Sequence, residues 1–264
     1  MPEVKFYAPG TFCYAELIST EAEVSSKFYR EFFGWGHHDI DMGDNGIYTQ
    51  FHLNGALVSA QYQRNAEQTA AGVPPHWGLY IAVADVDATT TRAKELGATV
   101  VKEPFNVFDI GRMSVLLDPQ GAAFNLWEEG TSCGAGVRDE PGAMCWHELM
   151  TSDTKAGGDF YTRLFEWQTE TMNMGEMGDY TLFTCAEERH AGGMLQLPAD
   201  KESLPAHWLL YFEVSDVDVS HESALQLGAK TIVPPTDIPT AGRFSVIQDP
   251  IGAVFGIYKS AEKN

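Results

Sequence analysis

The chain has 264 residues, 44% hydrophobic and 20% charged, the composition of a globular protein long enough to bury two domain cores. Its 37 acidic and 17 basic residues leave a net charge of −20, which excludes nucleic acid and anionic membrane as partners because both require a basic face. The four cysteines form no Cys-x-x-Cys pair, and neither a charged-then-apolar leader nor a membrane-length apolar run occurs, so dithiol and zinc-ribbon chemistry are set aside and a cytoplasmic location is expected.

A strand is predicted over residues 12–18. Ser19-Thr20-Glu21 supplies helix-capping residues, Val24, Phe28, Phe32 and Phe33 follow at helical spacing, and Gly34 marks the stop. His37-His38 falls in a loop-like stretch without a third ligand and is assigned no metal. Three short strands are expected next, around residues 46–62, after the turn Gly43-Asp44-Asn45-Gly46. A second passage alternates over residues 76–83 and enters a helix capped by Asp85-Val86-Asp87 and closed by Gly97-Ala98. Strands at 99–101, 112–117 and 122–127 complete it, the last two joined by Asp118-Pro119-Gln120-Gly121. Residues 130–143, rich in glycine and charge, read as a linker between a first domain, residues 1–129, and a second, residues 144–264.

The second domain repeats the first. His76-Trp77-Gly78-Leu79-Tyr80 returns as His207-Trp208-Leu209-Leu210-Tyr211, and Gly111-Arg112-Met113-Ser114-Val115 as Gly242-Arg243-Phe244-Ser245-Val246, both displaced by 131 residues (76 to 207, 111 to 242). The earlier elements return as a strand over residues 144–150, the cap Thr151-Ser152-Asp153, a helix carrying Phe160, Tyr161 and Phe165, and strands over residues 180–197 around Gly192-Gly193. A constant offset over so long a unit means two copies of one domain rather than a solenoid repeat. Two matched halves are expected to face each other across a pseudo-two-fold axis, with one or two cavities between them. The predicted class is α+β: four βαβββ modules forming two similar halves.

Four such modules, a helix reading Phe-Tyr-x-x-x-Phe-x-Trp (Phe160 to Trp167) and hairpins reading Asp-Pro-x-Gly-Ala-x-Phe (Asp118 to Phe124, Asp249 to Phe255) resemble the vicinal oxygen chelate superfamily. That superfamily includes glyoxalase I, fosfomycin resistance proteins, extradiol dioxygenases and bleomycin resistance proteins. The Trp-x-Glu-Leu-x-Thr-x-Asp run from Trp146 to Asp153 is similar to two-domain actinobacterial members often labelled hydroxylases. The resemblance implies three metal-ligand places per site. They fall on Tyr14, His76 and Asn125 in the first half and on Trp146, His207 and Gly256 in the second. One imidazole per site does not hold a catalytic ion. No metal or other cofactor is therefore expected; the alternative is a divalent ion held by His76 or His207 with Glu16 or Glu148.

Strand alternation places Glu16 and Glu148 on the face of Tyr14 and Trp146. A carboxyl among aromatics in a partly dry site has a raised pKa suited to acid–base work; the competing reading is a structural carboxylate paired with arginine or capping backbone amides. His76 and His207 are candidate bases or donors, or strand-entry histidines bonded to backbone after Pro74-Pro75 and Pro205. Tyr80, Tyr211 and Asn125 are candidate substrate contacts with Tyr14 and Trp146; Trp77, Trp127, Trp208 and Tyr258 are candidates to stack a planar ligand or, as alternating strand aromatics, belong to the core. Gly256 is expected to leave more room than Asn125. Arg112 and Arg243 read as surface ion pairs or anion holders, Asp85 and Asp216 as helix caps, and His147 as a structural residue of the opposite strand face.

Three functions follow. The first is a metal-independent enzyme in which Glu16 or Glu148 and His76 or His207 move protons beside a carbonyl, in an isomerisation, cyclisation or dehydration. The second is a binding or drug-sequestering protein with an aromatic groove. The third is a metal-dependent glyoxalase- or dioxygenase-like enzyme. All take a small organic molecule as partner, and homodimer formation is left open.

Overall fold

The computed structural model describes residues 3–175, 178–185, 189–197 and 204–261. In β1 (Phe12–Ser19), Cys13, Ala15 and Leu17 are buried on one face, while Tyr14, Glu16 and Ile18 are half-buried on the other. The buried face receives α1 (Ala22–Phe33), whose Phe28 and Tyr29 are buried. Gly34 ends α1 in the left-handed conformation, which glycine adopts without a Cβ clash. At its start the side chain of Glu21 makes no cap; Ser19 Oγ accepts the Glu21 amide from the end of the strand.

Strands β2 (Gly36–Asp41), β3 (Ile47–Leu53) and β4 (Ala56–Gln63) follow. His37-His38 thus lies in an edge strand, exposed, where a loop was expected. Pairing with β3 in unbroken register decides the conformation that local composition did not. A short helix, α2 (Ala66–Ala70), precedes β5 (His76–Ala82), closed at its start by a reciprocal capping box between Asn65 and Gln68. Then come α3 (Val86–Glu95), β6 (Thr99–Val107), β7 (Gly111–Leu117) and β8 (Ala123–Glu129). The strand expected at residues 99–101 continues to Val107 because β7 pairs with it across two register shifts, and Pro104 sits on the edge where no amide is needed.

The second half repeats this with β9 (Met144–Thr151), α4 (Thr154–Phe165), β10 (Gln168–Asn173), β11 (Asp179–Cys185), β12 (Arg189–Gln196), β13 (His207–Glu213), α5 (Val217–Gln226), β14 (Lys230–Ile238), β15 (Gly242–Gln248) and β16 (Val254–Ser260). The sheets run β2-β3-β4-β1-β5-β8-β7-β6 and β10-β11-β12-β9-β13-β16-β15-β14. The two modules of each half therefore close on each other, through antiparallel β1–β5 and β9–β13, and not across halves.

The halves meet through the convex, helix-bearing faces. Phe28, Tyr29, Phe32 and Phe33 of α1 pack against Phe255, and Phe160, Tyr161 and Phe165 of α4 against Phe124. One buried core cluster runs through both. Trp77 and Trp208 belong to it, donating to Tyr29 Oη at 3.1 Å and Tyr161 Oη at 2.8 Å, and are not ligand contacts. The seam between the halves is thus packed aromatic core, and the concave faces, where a cavity lies, point away from it. This corrects the expectation of cavities between the halves: the apolar helix-bearing faces bury each other in one core and take the interface.

Residues 130–143 do not hang free. Ala135 N–H donates to Cys13 O, Gly136 N–H to Leu57 O, and Tyr7 Oη to Ala135 O. Gly134 passes so close to β1 that a Cβ there would lie 2.4 Å from Cys13 O.

Candidate active site

The concave face of the first sheet encloses a cavity of about 680 Å³. Its wall takes Tyr14 and Glu16 from β1, Tyr48 from β3, Tyr62 from β4, Tyr80 from β5 and Trp127 from β8, with Phe105, Phe108 and Met113 on the far side. Register explains the convergence. Tyr80 stands opposite Tyr14 and Gly78 opposite Glu16, and Tyr62 stands opposite Tyr48. Directly opposed residues share a face.

Glu16 is the centre of this cluster. Tyr48 Oη donates to its Oε1 at 2.7 Å and Tyr80 Oη to its Oε2 at 2.9 Å. Tyr14 Oη lies 3.4 Å from Tyr48 Oη. Burial raises the Glu16 pKa above the ordinary carboxyl value, and the two phenol donors offset part of that rise. Burial, and then the nearby Glu16 charge, push Tyr48 and Tyr80 well above the usual phenol range and bring Tyr62 to about 12. The phenols therefore keep their protons at neutral pH and act as donors. The partners of Glu16 are phenols of its own half, not an arginine or backbone amides across the seam.

The second half repeats the clamp. Tyr180 Oη and Tyr211 Oη each donate to Glu148 at 3.0 Å, and Trp146 Nε1 donates to Tyr180 Oη at 2.9 Å. Burial raises the Glu148 pKa in the same way. The surroundings differ. Leu209, buried, takes the place of Gly78 and packs with Tyr211 and Val246, joined by Trp146, Phe244 and Tyr258. Gly256 does not leave the expected room: a Cβ there would lie 2.1 Å from the Tyr211 ring, so the ring fills the space. In the first half the Asn125 amide lies 3.2 Å from where a Gly78 Cβ would stand.

The two strand-entry histidines are held by backbone. His76 Nδ1 lies 2.8 Å from Pro74 O and His207 Nδ1 2.9 Å from Pro205 O, and burial lowers both pKa values. His76 opposes Ile18, one pair beyond Glu16 on the same face, and neither it nor Asn125 contributes to the cavity wall. Trp127 does, with Nε1 donating to Ser132 O at 3.0 Å. Tyr258 Oη donates to Ala241 O. Arg112 and Arg243 make surface ion pairs with Asp87 and with Asp218 and Asp237. Asp85 and Asp216 cap their helices. Tyr48, Tyr62 and Tyr180 were missed by sequence reasoning. The repeat held a signal for two of them: Tyr48 and Tyr180 are displaced by 132 residues, as Glu16 and Glu148 are.

A divalent ion fits these residues poorly. Tyr14, His76 and Asn125 offer one imidazole, and both Glu16 oxygens already accept phenol protons. Among the described residues no group of three His, Cys, Asp or Glu side chains is placed to hold an ion. No helix among them is long and apolar enough to cross a membrane.

Doubled modules of this topology with a concave, aromatic site define a two-domain protein of the vicinal oxygen chelate fold. The family model described as Glyoxalase/Bleomycin resistance protein/Dioxygenase superfamily matches residues 12–126 and again 142–257, and the chain belongs to that superfamily. It is 35% identical over 262 residues to "Putative glyoxylase CFP32" of Mycobacterium tuberculosis, covering 99% of each chain. It is 31% identical over 266 residues to "Anthracycline biosynthesis protein DnrV" of Streptomyces peucetius, covering 97% of this chain and 95% of that one. Among solved structures, the Mn(II)-bound glyoxalase from Novosphingobium aromaticivorans superposes with a TM-score of 0.66 at 17% identity, over 96% of this chain and 83% of that one. The 2,3-dioxygenase LapB from Pseudomonas sp. KL28 gives 0.64 at 15%, over 98% and 96%. These likenesses carry the fold and not a metal site.

Proposed function

We propose that the protein is an enzyme acting on a small organic carbonyl compound, without a bound metal, and that Glu16 is its proton-transfer group. One observation carries this reading: a buried carboxyl with a raised pKa, clamped between Tyr48 and Tyr80 at the wall of a cavity large enough for a drug-sized molecule. A carboxylate desolvated in this way is a stronger base than one in water, and the phenols fix its direction. Bound beside it, a ketone loses the proton α to its carbonyl to Glu16. The same carboxyl returns that proton to another position, or to a leaving group. Isomerisation, cyclisation and dehydration share that first step. Similarity to an anthracycline biosynthesis protein supports a ring-bearing carbonyl substrate.

Sequestration without turnover is the second reading, favoured by the occupation of both Glu16 oxygens by phenols. Deuterium incorporation from D2O into the α-position of α-tetralone separates the two. The enzyme reading expects exchange catalysed by the wild type and lost in Glu16→Gln, with α-tetralone binding retained. Binding without exchange in the wild type supports sequestration. Stoichiometric metal in the purified active protein would overturn the metal-independent part.

A further inference from the structure

The hairpin that joins β6 to β7 carries an aromatic residue that the fold does not use. Phe108 is 73% exposed, yet it forms part of the cavity wall. Its φ is +49°, a left-handed conformation that a bulky side chain adopts at a cost. Beside it Ile110 is 37% exposed and also reaches the cavity. The backbone here is not a loose flap. Ile110 O accepts the Gly130 and Ser132 amides, and Asp109 O accepts the Thr131 amide. At the root, Gly111 sits against Trp127, where a Cβ would lie 2.3 Å from the indole. The corresponding hairpin of the second half reads Pro239-Thr240-Ala241 and offers no aromatic ring.

We infer that Phe108 is a ligand-stacking residue that selects a planar fused-ring substrate, one long enough to reach from Glu16 to the cavity mouth. This rests on the reading of the first-half cavity as the ligand site. A rigidly presented, exposed ring at the rim of an apolar cavity gains by covering the face of a flat ligand. The inner edge of that ligand places its reacting carbon beside Glu16 and its keto or phenolic oxygens against the Tyr14 and Tyr62 phenols. A single-ring or two-ring compound bound beside Glu16 has less ring face to offer the hairpin and is expected to depend less on Phe108.

Calorimetric titration with quinizarin, a planar three-ring hydroxyquinone, and with α-tetralone tests the assignment. Phe108→Ala is expected to weaken quinizarin about tenfold, a change of about 1.4 kcal/mol, and α-tetralone less than twofold; Phe108→Trp keeps quinizarin affinity. Phe108→Gly relieves the left-handed strain, so its Tm should rise by about 2–4 °C while quinizarin weakens. That opposition of stability and affinity is not the mark of a residue serving only the fold. Quinizarin affinity unchanged in Phe108→Ala, or no quinizarin binding to the wild type, overturns the proposal. If α-tetralone still exchanges in either case, the acid–base reading of Glu16 stands without it. If quinizarin depends on Phe108 but no exchange occurs, the stacking role stands and the catalytic reading falls.

Discussion

Tyr29 Oη donates to Asp249 Oδ2 at 2.9 Å, joining α1 of the first half to the β15–β16 turn of the second. Tyr161 and Asp118 make the reciprocal bond at 3.2 Å. Each tyrosine also accepts an indole N–H, and each aspartate also accepts the amides of its own turn. Every polar atom named here is thereby partnered, and the two halves are fixed in one relative position. Tyr29→Phe would leave both Asp249 Oδ2 and Trp77 Nε1 short of a partner inside the seam. At about 1–3 kcal/mol for each of the two orphaned groups, a loss of about 2–6 kcal/mol is expected in equilibrium urea unfolding. Tyr161→Phe should behave alike, because its bonds are the same.

Asp249 also makes the seam pH-dependent. Burial raises its pKa to about 6, against an ordinary 3.8. A carboxyl raised on folding contributes stability that is complete below the unfolded pKa and lost as pH rises through the folded one. The window therefore runs from about pH 4 to pH 6, and the contribution lost is on the order of 3 kcal/mol. Asp249→Asn has no such titration. Its stability relative to wild type should improve between about pH 4 and pH 6 and level off above that; a constant difference across that range would refute the assignment.

Glu16 and Glu148 carry the same sign, since burial raises both. Their contribution is present when protonated and fades as pH climbs past the unfolded carboxyl value. Glu16→Gln should therefore gain Tm over the wild type as the buffer moves from acid to neutral, by about 2–4 °C for each 1 kcal/mol, while losing proton transfer. A site residue whose removal stabilises the protein is the expected signature of a carboxylate kept for chemistry. Scanning calorimetry of the two proteins across pH checks this.

The architecture was legible because apolar periodicity and the constant offset act over long stretches, and every module agrees with them. The site was legible in part. Alternation alone put Tyr14 and Glu16 on one face, and the repeat paired them with Trp146 and Glu148. The distant partners Tyr48 and Tyr180 come from strands that only the sheet order brings beside Glu16 and Glu148. The orientation of the halves was not legible, because sequence periodicity shows which faces are apolar but not which of two apolar faces meets its twin. Gly256 misled for a related reason: a missing side chain reads as space, and only packing reveals that Tyr211 occupies it.

That packing gives a sharp contrast between two glycines. At Gly256 a Cβ would meet three atoms of the Tyr211 ring, the nearest at 2.1 Å, and the ring cannot retreat without breaking its bond to Glu148. At Gly78 the nearest atom is the Asn125 amide at 3.2 Å, the end of a side chain that can shift by tenths of an ångström. Gly256→Ala should cost about 1–3 kcal/mol as an overpacked site, and Gly78→Ala well under that. Urea denaturation of the two variants compares them directly.

His147 supplies the opposite pH behaviour. Its ring stacks on Phe12 at 4.0 Å, it is buried at the seam, and its Nε2 has no hydrogen-bond partner among the described residues. Burial, with a smaller push from Arg138, holds its pKa well below the ordinary imidazole value. Folding therefore favours the neutral ring. Its contribution is whole above the unfolded pKa of about 6.5 and is lost as pH falls, because the unfolded chain takes a proton that the seam refuses. His147→Leu removes both the orphaned nitrogen and the titration. It should be more stable than wild type by about 1 kcal/mol at neutral pH, from the unsatisfied buried group alone, and the gap should widen toward pH 5. Thermal melts of the two proteins at pH 8, 6.5 and 5 give the comparison, and a gap that narrows in acid would show that the imidazole finds a partner for its charge.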